Sequence, residues 1–101
     1  MNSRLDLHNK LISIIGNNHV YYQSPESMKI EYPCIRYSLD DREPTFADNK
    51  KYINRKRYVL IFIDKLPDNT VIDKLLELPL SSYDRHYTSD NLNHDVITLY
   101  Y

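Results

Sequence analysis

The residues best suited to chemistry lie near the C-terminal end of the chain. Two histidines and three aspartates occur close together there: Asp84, His86, Asp90, His94 and Asp95. Histidine and carboxylate side chains are ligands for zinc or iron, and similar clusters serve hydrolases. Strand alternation would place Asp84 and His86 on one face, whereas His94 lies beyond a turn. We therefore expect these residues to cap a solvated hairpin, and we predict no metal site.

Candidate nucleophiles are few. Cys34 is the only cysteine, which excludes a disulfide framework, and it follows Pro33 in an apolar strand pattern typical of an inert buried thiol. Ser81 and Ser82 lack the glycine-flanked turn that presents a serine nucleophile. Gly16 is the only glycine, so dinucleotide-binding and phosphate-binding loops are excluded. We predict no catalytic residue and no cofactor.

A basic run lies in the middle of the chain. Five basic residues occur there with no acidic residue among them: Lys50, Lys51, Arg55, Lys56 and Arg57. Tyr52 lies between them and could stack on a base, so nucleic-acid contact is one interpretation. In a second interpretation, the run is a solvated segment beside a strand, and its charges protect the strand from aggregation. In the third interpretation, this run contacts another copy of the chain. Outside the run, each copy carries eight basic and fourteen acidic residues and is therefore acidic.

Length and composition favour a single intracellular domain. A chain of 101 residues has room for one core, so we predict one domain over 1–101. The net charge of −1 offers the whole molecule no electrostatic attraction to nucleic acid or acidic lipid. The first residues resemble no export signal, and we predict no membrane segment. Ten tyrosines suit both strand positions and surfaces that bind proteins.

Hydrophobic periodicity predicts two helices and five strands. The helices are expected over 3–15 and 70–78, each opened by a capping pair, Ser3 with Asp6 and Thr70 with Asp73. Gly16 is expected to end the first helix. The strands are expected over 20–22, 34–39, 57–64, 82–88 and 94–101, with a turn over 89–93.

The order of these elements, α-β-β-β-α-β-β, predicts the fold class. Strands and helices segregate, which favours an α+β fold with a mostly antiparallel sheet and two helices packed on one face. Strand 57–64 is apolar on both sides. We therefore expect it to lie centrally, with helices covering one face and something else covering the other.

Five blocks of the sequence resemble the small tail terminator or tail completion proteins of long-tailed bacteriophages. They are YPCIRYSLDD (32–41), ADNKKYINRKRY (47–58), IDKLPD (63–68), LLELP (75–79) and DRHYTSDNLNHDVITLYY (84–101). The blocks follow the same order as in that family and span nearly the whole chain. The stretch DNLNH is the most distinctive.

The resemblance implies an α+β subunit of a six-fold ring in the virion tail or neck, assembled in the host cytoplasm. Such a ring caps the finished tail tube, stops its polymerisation and joins the tail to the head. Its partners would be copies of itself, the tail tube protein and head-completion or connector proteins, and DNA would only pass through it. A neck adaptor is an alternative, as are a nucleic-acid-binding accessory protein that uses the 50–57 run and a metal hydrolase that uses His86 and His94.

The expected interface lies in two places. The connection 40–54 is predicted to form a projecting hairpin with acidic residues before its tip and basic residues after it, and to contact a neighbouring subunit or line the opening of the ring. The uncharged ending VITLYY is the second place. The candidate interface residues are Asp40, Asp41, Glu43, Lys50, Lys51, Tyr52, Arg55, Lys56, Tyr100 and Tyr101.

Overall fold

The computed structural model describes residues 4–23, 30–39, 56–66 and 70–101, and these form two helices and five strands. The helices are α1 (Arg4–Ile15) and α2 (Val71–Leu76). The strands are β1 (Val20–Tyr22), β2 (Cys34–Leu39), β3 (Arg57–Asp64), β4 (Ser81–Ser89) and β5 (Leu92–Tyr100). The predicted element order is confirmed, and the bounds of the first three strands agree with the prediction.

The five strands form one sheet in the order β1-β2-β3-β5-β4. β1 runs parallel to β2, and the remaining neighbours are antiparallel. The sheet is therefore mostly antiparallel, as predicted, and β3 lies at its centre. Among the described strands, the short β1 and the nine-residue β4 form the two edges.

The hydrophobic core lies between the sheet and the two helices. α1 contributes Leu7 and Leu11, four positions apart and therefore on one side of the helix, and α2 contributes Val71 and Leu75 in the same way. These residues pack on buried side chains of three central strands: Ile35, Tyr37, Tyr58, Leu60, Phe62, Ile97 and Leu99. Each fully buried large apolar side chain stabilises the fold by about 1.5–3 kcal/mol. The prediction that both helices cover one sheet face is confirmed.

The two helices end differently from each other. α1 stops at Gly16 as predicted, where a φ of 82° lets the amide donate to the Ile12 carbonyl at 2.9 Å. α2 is shorter than predicted, and Leu76, its last residue, is 37% exposed. The Thr70 cap is wrong because the backbone of Thr70 is already helical and its side chain makes no capping hydrogen bond. Ser3, in the other predicted cap, lies outside the described residues.

β4 and β5 form a tighter hairpin than predicted. Ser89 pairs with Leu92, so the turn contains only Asp90 and Asn91, with φ values of 54° and 63°. Asp and Asn tolerate this left-handed conformation better than other non-glycine residues, which explains how the turn forms without glycine.

The prediction for the second face of β3 is only partly correct. Leu60 and Phe62 are buried on the helix side, but Val59 and Ile61, on the other side, are half-buried. Neither described helix packs there, so the sheet has a face that the described chain leaves partly open. None of the helices in the described ranges has the length and apolar character needed to span a membrane.

Candidate interaction surface

The histidines and aspartates of the hairpin do not converge. His86 pairs with Asp95, whereas His94 is on the next rung of the ladder, paired with Tyr87, so the two histidines face opposite sides of the sheet. His94 stacks on the Tyr87 ring with centroids 4.6 Å apart. Within the described residues, no group of three histidine, cysteine or acidic side chains could hold a metal ion.

Asp84 is displaced by an irregularity in β4. The ladder passes from Tyr83 directly to Arg85, so Asp84 is the extra residue of a bulge. The expectation that Asp84 and His86 share one strand face is therefore wrong. Asp84 instead borders the same shallow depression as Arg57, on the sheet face away from the helices.

The prediction of a buried thiol at Cys34 is confirmed. The side chain has no exposed surface, and burial raises the pKa of the thiol to about 12. Asp64 raises it further, and Arg36 acts in the opposite direction. The thiolate, which is the nucleophilic form, is therefore disfavoured at neutral pH.

The sequence did not reveal a polar contact that ties β4 to β5. The Tyr83 hydroxyl donates a hydrogen bond of 2.7 Å to Oδ1 of Asp95, a carboxylate that is only 5% exposed. This bond to the carboxylate is the main reason that the pKa of Tyr83 rises to about 12. A buried carboxylate needs such a donor, because water no longer solvates it.

Replacing Tyr83 with phenylalanine is expected to lower the free energy of unfolding by about 1–3 kcal/mol, because the buried Asp95 loses its donor. Denaturant unfolding at neutral pH measures the loss. The matched control is Tyr87→Phe. Tyr87 is similarly exposed and lies on the same strand, and its stacking on His94 survives loss of the hydroxyl. If the two substitutions lowered the free energy of unfolding equally, the hydrogen bond between Tyr83 and Asp95 would make no contribution to stability.

A second polar cluster lies beneath the start of α1. The Tyr37 hydroxyl is 2.7 Å from Nδ1 of His8 and accepts a hydrogen bond from Nη1 of Arg4 at 3.3 Å. The arginine side chain can only donate hydrogen bonds. The Tyr37 hydroxyl therefore makes both contacts when it accepts from Arg4 and donates its own proton to an unprotonated nitrogen of His8. The pKa of His8 is lowered, first by burial and then by the positive charge of Arg4.

Acid is therefore expected to destabilise the fold through His8. Because its pKa is lower in the folded state, the unfolded chain binds the proton more tightly. The contribution of His8 to the free energy of unfolding is fully present above about pH 6.5. It is lost as the pH falls through the pKa that His8 has in the folded state. His8→Gln keeps a hydrogen-bond acceptor for Tyr37 but cannot be protonated, so its melting temperature should fall less between about pH 7 and pH 5. His86→Gln, on the exposed strand β4, is the control. If the melting temperature depended on pH in the same way for the unmodified protein and both variants, the prediction would be contradicted.

The sheet face away from α1 and α2 is here called the open face. Four rungs of paired residues cross it: Cys34, Ile63, His94 and Tyr87; Arg36, Ile61, Val96 and Arg85; Ser38, Val59, Thr98 and Ser82; Arg57 and Tyr100. Branched aliphatic side chains occupy its centre on β3 and β5. Three arginines and two tyrosines lie nearer its margins.

The open face combines apolar area with positive charge. Ile63 and Val96 are buried, whereas Val59, Ile61 and Tyr100 remain half-buried. Arg36, Arg57 and Arg85 lie on this face, and Nη1 of Arg85 is 3.9 Å from Oδ2 of Asp84. Arginine and aromatic residues around an apolar centre are typical of surfaces that bind other macromolecules.

The edge strand β4 continues the open face. Tyr87 is 38% exposed, and every residue of β4 after Ser81 is exposed. Within the described chain β4 pairs only with β5, so its outer edge has no strand partner there. The bulge at Asp84 and the exposed charge of Arg85 are features that protect open edges from indiscriminate pairing.

The predicted interface residues are only partly described. Asp40, Asp41, Glu43, Lys50, Lys51, Tyr52 and Arg55 lie outside the described residues, as does the predicted hairpin 40–54. Lys56 is exposed and exchanges backbone hydrogen bonds with Tyr101 at 3.1 and 2.9 Å. Tyr100 lies on the open face, whereas Tyr101 packs against the core. Arg36 and Arg85 also lie on the open face but are not among the predicted interface residues, although the two-sided apolar character of 57–64 pointed to this face.

No family model matches this chain, and no curated protein matches it.

Proposed function

We propose that this chain is a structural subunit that assembles into a ring at the head–tail junction of a long-tailed bacteriophage. The ring caps the tail tube, terminates its polymerisation and joins the tail to the head. The open face is the observation that carries the assembly role. The resemblance of the sequence blocks to tail terminator proteins supports the position in the virion.

The open face favours association on energetic grounds. Burying apolar surface contributes about 25 cal/mol per Å², and half-buried Val59, Ile61 and Tyr100 still offer such surface. Arginine and tyrosine are also the residues most often found where a few side chains supply most of the binding energy. A ring requires contact between two unlike surfaces, and the two sides of this sheet are unlike, since both described helices pack on one of them.

The assembly state tests this proposal directly. Native mass spectrometry of the purified protein should show one closed oligomer, expected to be a hexamer, and the same oligomer should bind the ends of tail tubes. In tube polymerisation assays, electron microscopy should show elongation stopping after the protein is added. A protein that stays monomeric at high concentration and leaves tube length unchanged would overturn the proposal. A ring that binds the connector but not the tube would instead identify a neck adaptor.

A nucleic-acid-binding role is a second candidate, favoured by a specific observation. Arg36, Arg57 and Arg85 share the open face with Tyr87 and Tyr100, and such a combination suits backbone phosphates and stacked bases. Binding of single-stranded DNA that weakens steeply with salt would support this role, because phosphate contacts release counterions. Salt-independent or absent binding would exclude it.

A further inference from the structure

The outer edge of β4 meets no strand in the described part of the chain. β4 is nine residues long and pairs with β5 along its inner edge. All of its residues after Ser81 are exposed, so the outer edge is open to solvent in the described chain. A long open edge presents backbone N–H and C=O groups on which a second strand can form hydrogen bonds.

The bulge at Asp84 makes the pattern of side chains along β4 symmetric. Four side chains lie on the helix side of the sheet: Ser81, Tyr83, His86 and Thr88. Four others lie on the open face: Ser82, Asp84, Arg85 and Tyr87. Asp84 and Arg85 are consecutive but share a face, because the bulge interrupts the alternation. Counted outward from the point between them, both arms of β4 therefore have the same order of sides.

This symmetry specifies one register in which β4 can pair with β4 of a second copy. In antiparallel pairing, residues directly opposite each other lie on the same side of the sheet. When a two-fold axis passes between Asp84 and Arg85, every residue from 81 to 88 faces a residue of its own side. A shift of one residue in either direction places helix-side residues opposite open-face residues, which a continuous sheet does not allow.

The side chains that face each other in this register are compatible. Asp84 of each copy faces Arg85 of the other, so opposite charges meet in both central pairs. Within one chain these two side chains are 3.9 Å apart and are 50% and 67% exposed, and such an exposed contact contributes little to stability. On the helix side Tyr83 faces His86, and aromatic pairs across strands are favourable.

The other edge of the sheet is a poorer partner for β4. β1 forms that edge and has only three residues, so it would pair with a minor part of the nine-residue strand. A second copy of β4 matches the full length of the strand and its pattern of sides. Both considerations favour β4 itself as the occupant of the edge.

We infer that β4 pairs antiparallel with β4 of a second copy, about a two-fold axis between Asp84 and Arg85, so that two sheets become one. The contact is isologous and closes at two copies, whereas the contact that forms a ring is heterologous. The inference therefore goes beyond the proposed ring and does not depend on it.

Disulfide trapping tests both the contact and its register. Ser82 of one copy would face Tyr87 of the other with Cα atoms about 4.5–5.5 Å apart, a distance that a disulfide spans. Ser82→Cys mixed with Tyr87→Cys should therefore form a linked dimer in a glutathione redox buffer, detected by intact mass. In the matched control, Ser82→Cys is mixed with Ser89→Cys, whose Cα atoms would be about 8 Å apart. We expect at least about 10-fold less linked dimer in the control mixture.

Each cysteine variant alone supplies a second control. Two copies of Ser82→Cys would hold their new thiols more than about 15 Å apart, and the same is true of Tyr87→Cys. Neither variant should link to itself above background. Cys34 stays in place, because its thiol is buried.

Charge substitutions at the axis test the contact without a cross-link. Asp84→Arg places arginine opposite arginine in both central pairs, so sedimentation velocity should show about 5–30-fold weaker dimerisation. The double variant Asp84→Arg with Arg85→Asp exchanges the two charges. It restores opposite charges across the axis and should dimerise like the unmodified protein. Both positions are exposed, so we expect these variants to fold.

Each outcome has a defined meaning. Preferential linkage of 82 to 87, with recovery of dimers in the double variant, supports the inference. Preferential linkage of 82 to 89 would place β4 in another register, and background linkage in every mixture would leave the edge to a strand of a different protein. Either result overturns the inference. Linkage of 82 to 87 that disappears when both partners also carry Ile61→Asp would overturn it too, because the open face would then bring the copies together.

Discussion

Replacing Phe62 with alanine is expected to lower the free energy of unfolding by about 3–5 kcal/mol, the largest effect of any single substitution considered. Phe62 is 1% exposed and lies on the middle strand, β3, against the core formed with α1 and α2. Truncation removes the apolar contacts of the ring and leaves a cavity that a close-packed core refills only in part. A domain of this size is stable by about 5–15 kcal/mol in total, so the variant should be close to unfolding.

The neighbouring residue provides a matched control for this prediction. Ile61 is on the same strand but points to the open face, where it is half-buried. A fully buried isoleucine would lose about 2–5 kcal/mol on truncation, but Ile61→Ala should cost only about 1–2 kcal/mol in the monomer. Urea unfolding of dilute protein measures both values. If Ile61→Ala destabilised the monomer as much as Phe62→Ala, the assignment of the two sheet faces would be incorrect.

Placing a carboxylate at Ile61 is expected to weaken assembly strongly, the second large effect. Ile61 lies between Arg36 and Val96 at the centre of the open face. In an assembled interface, an aspartate there would be buried in mostly apolar surroundings, which is costly for a charge. In the monomer it remains partly solvated. Loss of a central contact residue typically costs at least about 2 kcal/mol, so Ile61→Asp should weaken association about 30-fold or more.

Sedimentation velocity over a range of concentrations measures this effect. Ser13→Asp on the exposed side of α1 adds the same charge away from the open face, and it should assemble like the unmodified protein. Thermal unfolding confirms that both variants fold. An Ile61→Asp variant that is folded and still forms rings at the usual concentration would show that the open face is not the interface.

The two substitutions differ because adjacent residues of a strand face opposite sides. Phe62→Ala tests the core without altering the open face, and Ile61→Asp tests the open face with little effect on the core. Their combination separates stability from assembly. Stability loss at Phe62 with assembly loss at Ile61 is the pattern that the fold and the proposed function together require.

Features that depend on residues close together in the chain could be predicted from the amino-acid sequence. The strand predicted over 34–39 formed, and the helix predicted to end at Gly16 ends there, because glycine tolerates a positive φ. The side-chain periods of strands and helices follow from backbone geometry, so local patterns report them directly. The element order, and from it the fold class, could therefore be predicted.

Which elements contact each other could not be predicted, because it depends on packing across the whole domain. The insertion of β5 between β3 and β4, the short α2, and the contact between Tyr83 and Asp95 all depend on residues brought together from separate elements or separate turns of the chain. The open face is the main example. Strand 57–64 is apolar on both sides in the sequence, and nothing local indicates which side the helices will cover. That choice follows from packing across the whole domain, and it leaves Val59 and Ile61 half-buried on the other face.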